Sequence, residues 1–226
     1  MNFSSLVMQL SIWSILLPLL AGISSYKRLD PESRILFYLV ILATLPQLLT
    51  SFMAHSKELN FIYNIYTPAE FLLTYLFIGN RMQVRIFRNI SLTIVGLFLF
   101  LSVFIIIRYG LNHRFLNEWV CAANTCYLGW VLLYILESLQ TEKKLLNTNL
   151  PMFWYISALL LYTPCTIFVF ALSYYITKSQ NPFINKLWNI QSVFNTLLYV
   201  FFAIGLLKAK LNFRETREFE SSRPVQ

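Results

Sequence analysis

Along the chain, seven stretches of about twenty residues that are nearly free of charge alternate with short polar connections. They run 3–24, 35–54, 61–79, 89–108, 118–137, 153–177 and 187–207. At about 1.5 Å of rise per residue, each is long enough as a helix to cross the ~30 Å hydrocarbon core of a bilayer. The pattern predicts an all-α membrane protein, a seven-transmembrane-helix bundle. It forms a single domain over 1–207, followed by a polar, basic tail over 208–226. The opening run MNFSSLVMQLS lacks the positive charge of a secretory leader, so the first stretch is expected to be a retained span.

The third stretch, NFIYNIYTPAEFLLTYLFIG, departs from the pattern because it carries Glu70 near its middle. Helical rise puts Glu70 roughly 15 Å from Asn60, close to mid-bilayer, where a charge costs about 2.5–3.5 kcal/mol even on the lenient insertion scale. Tyr63, Thr67, Glu70 and Thr74 recur at helical spacing on one face, with Asn60 and Asn64 beside it. Pro68 denies the carbonyl of Asn64 its helical partner. Lipid satisfies none of these groups, so this face must point into protein or trapped water.

Other spans supply matching polarity. Gln9 lies in the first span, Gln47 in the second, Asn124 in the fifth, and Gln191, Asn195 and Tyr199 in the seventh. With alternating direction through the bilayer, Gln9, Gln47, Tyr63, Asn64, Asn124, Gln191 and Asn195 all fall in the half above Glu70. Two arrangements fit: amides that join helices, each worth about 0.6 kcal/mol, or a polar cavity floored by Glu70. The acid favours the cavity, and its expected ligand-binding residues are Glu70, Asn64, Tyr63, Thr67, Gln47, Asn124, Gln191, Asn195 and Tyr199. Pro46, Pro68 and Pro164 are expected hinges. Tyr66-Thr67-Pro68 recurs as Tyr162-Thr163-Pro164 three spans later, a faint trace of internal symmetry.

Composition agrees with the pattern: 57% of residues are hydrophobic, 12% are charged, and the mean hydropathy is +0.59. Lys27, Arg28, Arg34, Arg81, Arg85, Arg88, Lys143, Lys144 and the tail bases fall on one side. Lys57, Arg108, Arg114, Lys178 and Lys186 fall on the other. The positive-inside rule then puts the N-terminus outside and the C-terminus in the cytoplasm. Basic loops against anionic lipid account for the net charge of +8, and no nucleic-acid partner is implied.

Catalytic chemistry is sparse. His55 and His113 lie in outer loops, Asp30 is the sole aspartate, and Cys121, Cys126 and Cys165 show no CxxC spacing. A metal cluster at depth, an aspartate pair, a Ser–His pair and a phosphate loop are all missing from the pattern. The chain is therefore expected not to be an enzyme and to need neither metal nor cofactor. Asp30 and Glu32 are expected to pair with bases of their own loop, and Glu118 and Glu137 to sit in interfacial water.

The runs FIYNIYTPAEFLL, MFWYISALLLYTP and LWNIQSVFNTLLYVFFAIGLL resemble small seven-helix integral membrane proteins of Bacteroidota-type bacteria that have no assigned activity. The resemblance rests on Tyr66, Glu70, Phe153, Trp154, Tyr162, Trp188 and Asn195. It implies a multi-pass protein of the bacterial inner membrane and an association with membrane signalling. The leading expectation is a sensor or small-ligand-binding module that takes a polar or cationic molecule from outside, contacts membrane lipid, and addresses a signalling protein on the cytoplasmic side. A small secondary transporter using Glu70 as proton or cation carrier, and a structural subunit without ligand, are the alternatives.

Overall fold

The computed structural model describes residues 3–52, 59–111, 117–140, 147–173 and 186–221, and these form helices joined by turns, with no strand among them. In chain order they are α1 (Phe3–Ser14), α2 (Leu16–Ser25), α3 (Pro31–Phe52), α4 (Leu59–Phe77), α5 (Arg85–Tyr109), α6 (Asn117–Gln140), α7 (Pro151–Ala171) and α8 (Leu187–Ser221). Short 3₁₀ turns follow α2 and α4. The ends of the expected second and sixth spans, beyond Phe52 and Ser173, lie outside the described residues, as does the tail after Ser221.

Among the described residues, six segments are long and apolar enough to cross a membrane: Ser4–Arg28, Pro31–Leu49, Arg85–Tyr109, Asn117–Gln140, Pro151–Ala171 and Leu187–Leu211. They mark the chain as a multi-pass membrane protein. Helix α4 is 19 residues long but is not among the six. Asn60, Asn64 and Glu70 dilute its apolarity, although Phe61, Ile65 and Leu72 still turn outward. The first span is two helices meeting at Ile15, beside the point where Pro18 leaves the Ser14 carbonyl without its helical donor. The Ser14 hydroxyl turns back to donate to the Ser11 carbonyl at 2.7 Å.

The helices close a ring. Helix α3 packs on α2 and α4, α4 meets α6, α6 packs on α7, α7 on α8, and α8 returns to α1 and α2. Helix α5 stands outside this ring against α4. Its outer face is bare and apolar, with Ile107 78% and Phe100 67% exposed, a surface that suits acyl chains and not water. At Gly110 the backbone reaches φ 82°, a conformation natural to glycine, and ends α5.

The ends of the helices carry the polar ties. Asp30 does not pair with its loop bases; its carboxylate accepts from the Ser33 amide at 3.3 Å and caps α3 ahead of Pro31. Glu32 pairs with Arg81 of the α4–α5 connection rather than with its own loop. Asp30 finds a backbone amide at the helix start, and Glu32 finds an arginine that the fold, not the loop, brings beside it. The tail also differs from a separate segment: α8 runs on as one helix to Ser221, because no glycine or proline interrupts 206–221.

Candidate functional site

A cavity of about 220 Å³ lies inside the ring. Its walls come from α1 (Ser11), α3 (Ala43, Pro46, Gln47), α4 (Tyr63, Tyr66, Thr67, Glu70), α6 (Val120, Ala123, Asn124), α7 (Tyr162, Phe170) and α8 (Gln191, Ser192, Asn195, Tyr199). Every ring helix except α2 contributes; α5 does not. On α4 the contributors sit at i, i+3, i+4 and i+7, which is one helical stripe. The cavity occupies the half of the bundle toward the start of α4 and α8, and Glu70 is its deepest α4 residue.

Below Glu70 the interior is filled. Phe71 is fully buried, stacks on Phe98 at 4.0 Å between ring centroids, and leans on Trp130 at 5.1 Å. Tyr155 packs edge-on against Phe77 and Phe202. The chamber therefore has an aromatic floor. At the floor side, Gly205 lets α8 approach α7 so closely that a Cβ there would collide with the Tyr155 ring.

Hydrogen bonds around the chamber follow a common direction. Asn195 Nδ2 donates to Ser11 Oγ at 2.9 Å, and Gln47 Nε2 donates to the Ser11 carbonyl at 3.5 Å. Asn124 Nδ2 donates to the Val120 carbonyl at 2.9 Å. Gln191 Nε2 donates to Thr166 Oγ1 at 3.3 Å and to Tyr162 Oη at 3.4 Å. The Tyr66 hydroxyl donates to the Glu70 carboxyl. Amide nitrogens are thus spent on the protein, while Asn124 Oδ1 and Gln191 Oε1 are buried with no partner among the described residues.

Of the residues expected to bind ligand, Glu70, Tyr63, Thr67, Gln47, Asn124, Gln191, Asn195 and Tyr199 line this one cavity. Asn64 does not. One residue further along α4 than Tyr63, it is turned by about 100° and donates to the Leu111 carbonyl beyond α5 at 2.9 Å. Pro46 lines the cavity, and Pro68 and Pro164 flank its residues; α3, α4 and α7 run unbroken through all three prolines. Ser11, Tyr66 and Tyr162 line it too, although the sequence reading did not single them out as ligand residues. For Tyr66 and Tyr162 the repeated Tyr-Thr-Pro triplet was the signal, since its two tyrosines face the same space.

Glu137 is the larger surprise. It is 7% exposed, and its carboxylate accepts from the Gln83 amide at 2.9 Å and the Val84 amide at 3.1 Å, at the start of α5. Interfacial water is therefore not its environment. A wider notch of about 710 Å³, lined by Tyr26, Lys27, Arg28, Tyr38 and Lys210 among others, opens at the opposite end of the bundle and, among the described residues, contains no carboxylate or amide side chain. Among the described residues, no group of three His, Cys, Asp or Glu side chains comes together. His55 and His113 lie outside those residues.

In comparisons with known proteins, no family model, no curated protein and no solved structure matches this chain.

Proposed function

We propose that this chain is a seven-span sensor or ligand-binding module that takes a small polar molecule into the chamber above Glu70. The observation that carries the reading is a polar cavity ending at a carboxyl group inside an otherwise apolar bundle, with a packed aromatic floor beneath it. Lipid cannot support that arrangement, and helix glue alone does not call for an open volume.

In this reading α4 is the seventh span, its polar face sheltered by the ring. The distribution of Lys and Arg supports an N-terminus outside and a C-terminus in the cytoplasm. The resemblance to Bacteroidota-type membrane proteins points to the inner membrane and to a signalling partner on the cytoplasmic side. Occupancy would shift α3, α4 and α7 at Pro46, Pro68 and Pro164, where a missing helical hydrogen bond makes bending cheap. A secondary transporter is the second reading, favoured by an ionisable group at mid-depth. The filled floor favours the sensor, because passage would require that core to open.

The test is access. In a variant lacking the native cysteines, Ala123→Cys should react with a small water-soluble thiol reagent added from outside, with no solute flux in proteoliposomes. A position that never reacts would remove the chamber. Flux abolished by Glu70→Gln would instead establish the transporter.

A further inference from the structure

Among the described residues, the buried side-chain atoms left unpartnered on the chamber wall are both acceptors, and this bears on what it can hold. Asn124 is 6% exposed, and its Nδ2 is fixed by the Val120 carbonyl, which can only accept. Its Oδ1 must therefore be the free end. The same logic fixes Gln191. Thr166 spends its hydroxyl proton on the Tyr162 carbonyl at 3.0 Å, so toward Gln191 it can only accept, and Gln191 must present Nε2 to it. Among the described residues, two buried carbonyl oxygens are thus left without donors, one on α6 and one on α8, on side chains that line the cavity Glu70 reaches from α4. A buried acceptor without a donor costs about 1–3 kcal/mol. Among the described residues, no lysine, arginine or histidine lines the space to supply one.

Building on the ligand-binding reading, we infer that the occupant is a small organic cation carrying N–H donors, a protonated amine, held by Glu70, Asn124 Oδ1 and Gln191 Oε1. An anion would meet a carboxylate and two carbonyl oxygens. A neutral donor would satisfy the carbonyls but leave the carboxylate unanswered. Tyr63, Tyr66, Tyr162 and Tyr199 complete the wall, and aromatic surroundings favour organic cations over bare metal ions. Size narrows the class further. The volume equals that of about seven waters and lies below the usual 300–1,000 Å³ of drug-sized sites, so only a short amine fits.

The experiment is a thermal-shift titration of the full chain in zwitterionic nanodiscs, with propylammonium chloride as probe. Sodium chloride, propanol, sodium propionate and tetramethylammonium chloride are the comparisons. Propylammonium should raise the melting temperature saturably, while propanol and propionate should not. Tetramethylammonium, which has no N–H, should bind at least tenfold more weakly. Apparent affinity for propylammonium should fall at least tenfold in Glu70→Gln, which keeps the side chain's shape, and severalfold in Asn124→Leu. Equal shifts with propanol or sodium chloride, or full propylammonium binding in Glu70→Gln, would overturn the inference. If the Ala123→Cys position labels but propylammonium gives no shift, the chamber stands and the amine falls. If that position never labels, both fall.

Discussion

Glu137, near the end of α6, holds the backbone amide of Val84 at 3.1 Å with one carboxylate oxygen while the other takes the amide of Gln83. A side chain more than fifty positions away thus caps α5, supplying negative charge where the helix start presents free N–H groups. Charge-assisted bonds of this kind are among the stronger ones in proteins. Helix α5 stands outside the ring, so this tie fixes its starting end to α6. Glu137→Ala should cost about 1–3 kcal/mol through two amides left unpaired, and Glu137→Gln clearly less. Melting temperatures in detergent should rank wild type, Gln, Ala, and equal values for all three would contradict the cap.

Gly205 faces the ring of Tyr155, which in turn donates to Ser33 Oγ at 3.1 Å and so ties α7 to α3. A side chain at 205 must push that ring out of its buried place. Gly205→Val is expected to destabilise by about 1–3 kcal/mol, the usual range for overpacking. Combining it with Tyr155→Ala should cost less than the sum of the two single changes. Simple additivity in that cycle would show that the two positions do not touch.

Glu70 should behave the opposite way. A carboxyl held in an apolar bundle for a ligand's sake does not help the empty protein fold, and residues kept for function often carry such a cost. Unliganded Glu70→Gln is expected to melt no lower than wild type, and to melt higher if desolvation of the carboxyl outweighs its bond from Tyr66. A marked drop in melting temperature would assign Glu70 a structural duty instead.

Orientation has its own check. Cysteines placed at Lys27 and Arg85 in a background without native cysteines should react with a membrane-impermeant thiol reagent only after cells are opened. One placed at Asn117 should react in intact cells. The reverse pattern would invert the bundle.

Six of the expected spans were legible because a helix in lipid must be apolar over a bilayer's width, a rule that leaves its mark in consecutive residues. Most of the chamber was legible for a related reason: Tyr63, Thr67 and Glu70 share a stripe that nothing outside the protein could solvate. Asn64 shows the limit of that logic. Its identity fits the stripe, but a rotation of one residue hands it to the Leu111 carbonyl. Glu137 and Glu32 were misread because their partners are backbone amides and an arginine some fifty residues distant. Backbone groups leave no trace in side-chain pattern, and loop-to-loop pairing depends on where helices come to rest. The orphan carbonyls of Asn124 and Gln191 were invisible for the same reason, since only geometry says which half of an amide is already spent.

Helix α8 contributes Gln191, Asn195 and Tyr199 to the chamber and then runs to Ser221 without a glycine or proline after Gly205. From Asn195 to Ser221 the rise is about 39 Å, enough to carry the chain from the cavity well past the bundle's far end. A stiff rod of that length has no joint in which to absorb a tilt. A rotation of a few degrees at Asn195 would sweep Ser221 sideways by a distance that grows along the shaft, turning a small adjustment around a bound molecule into a larger excursion at the tip.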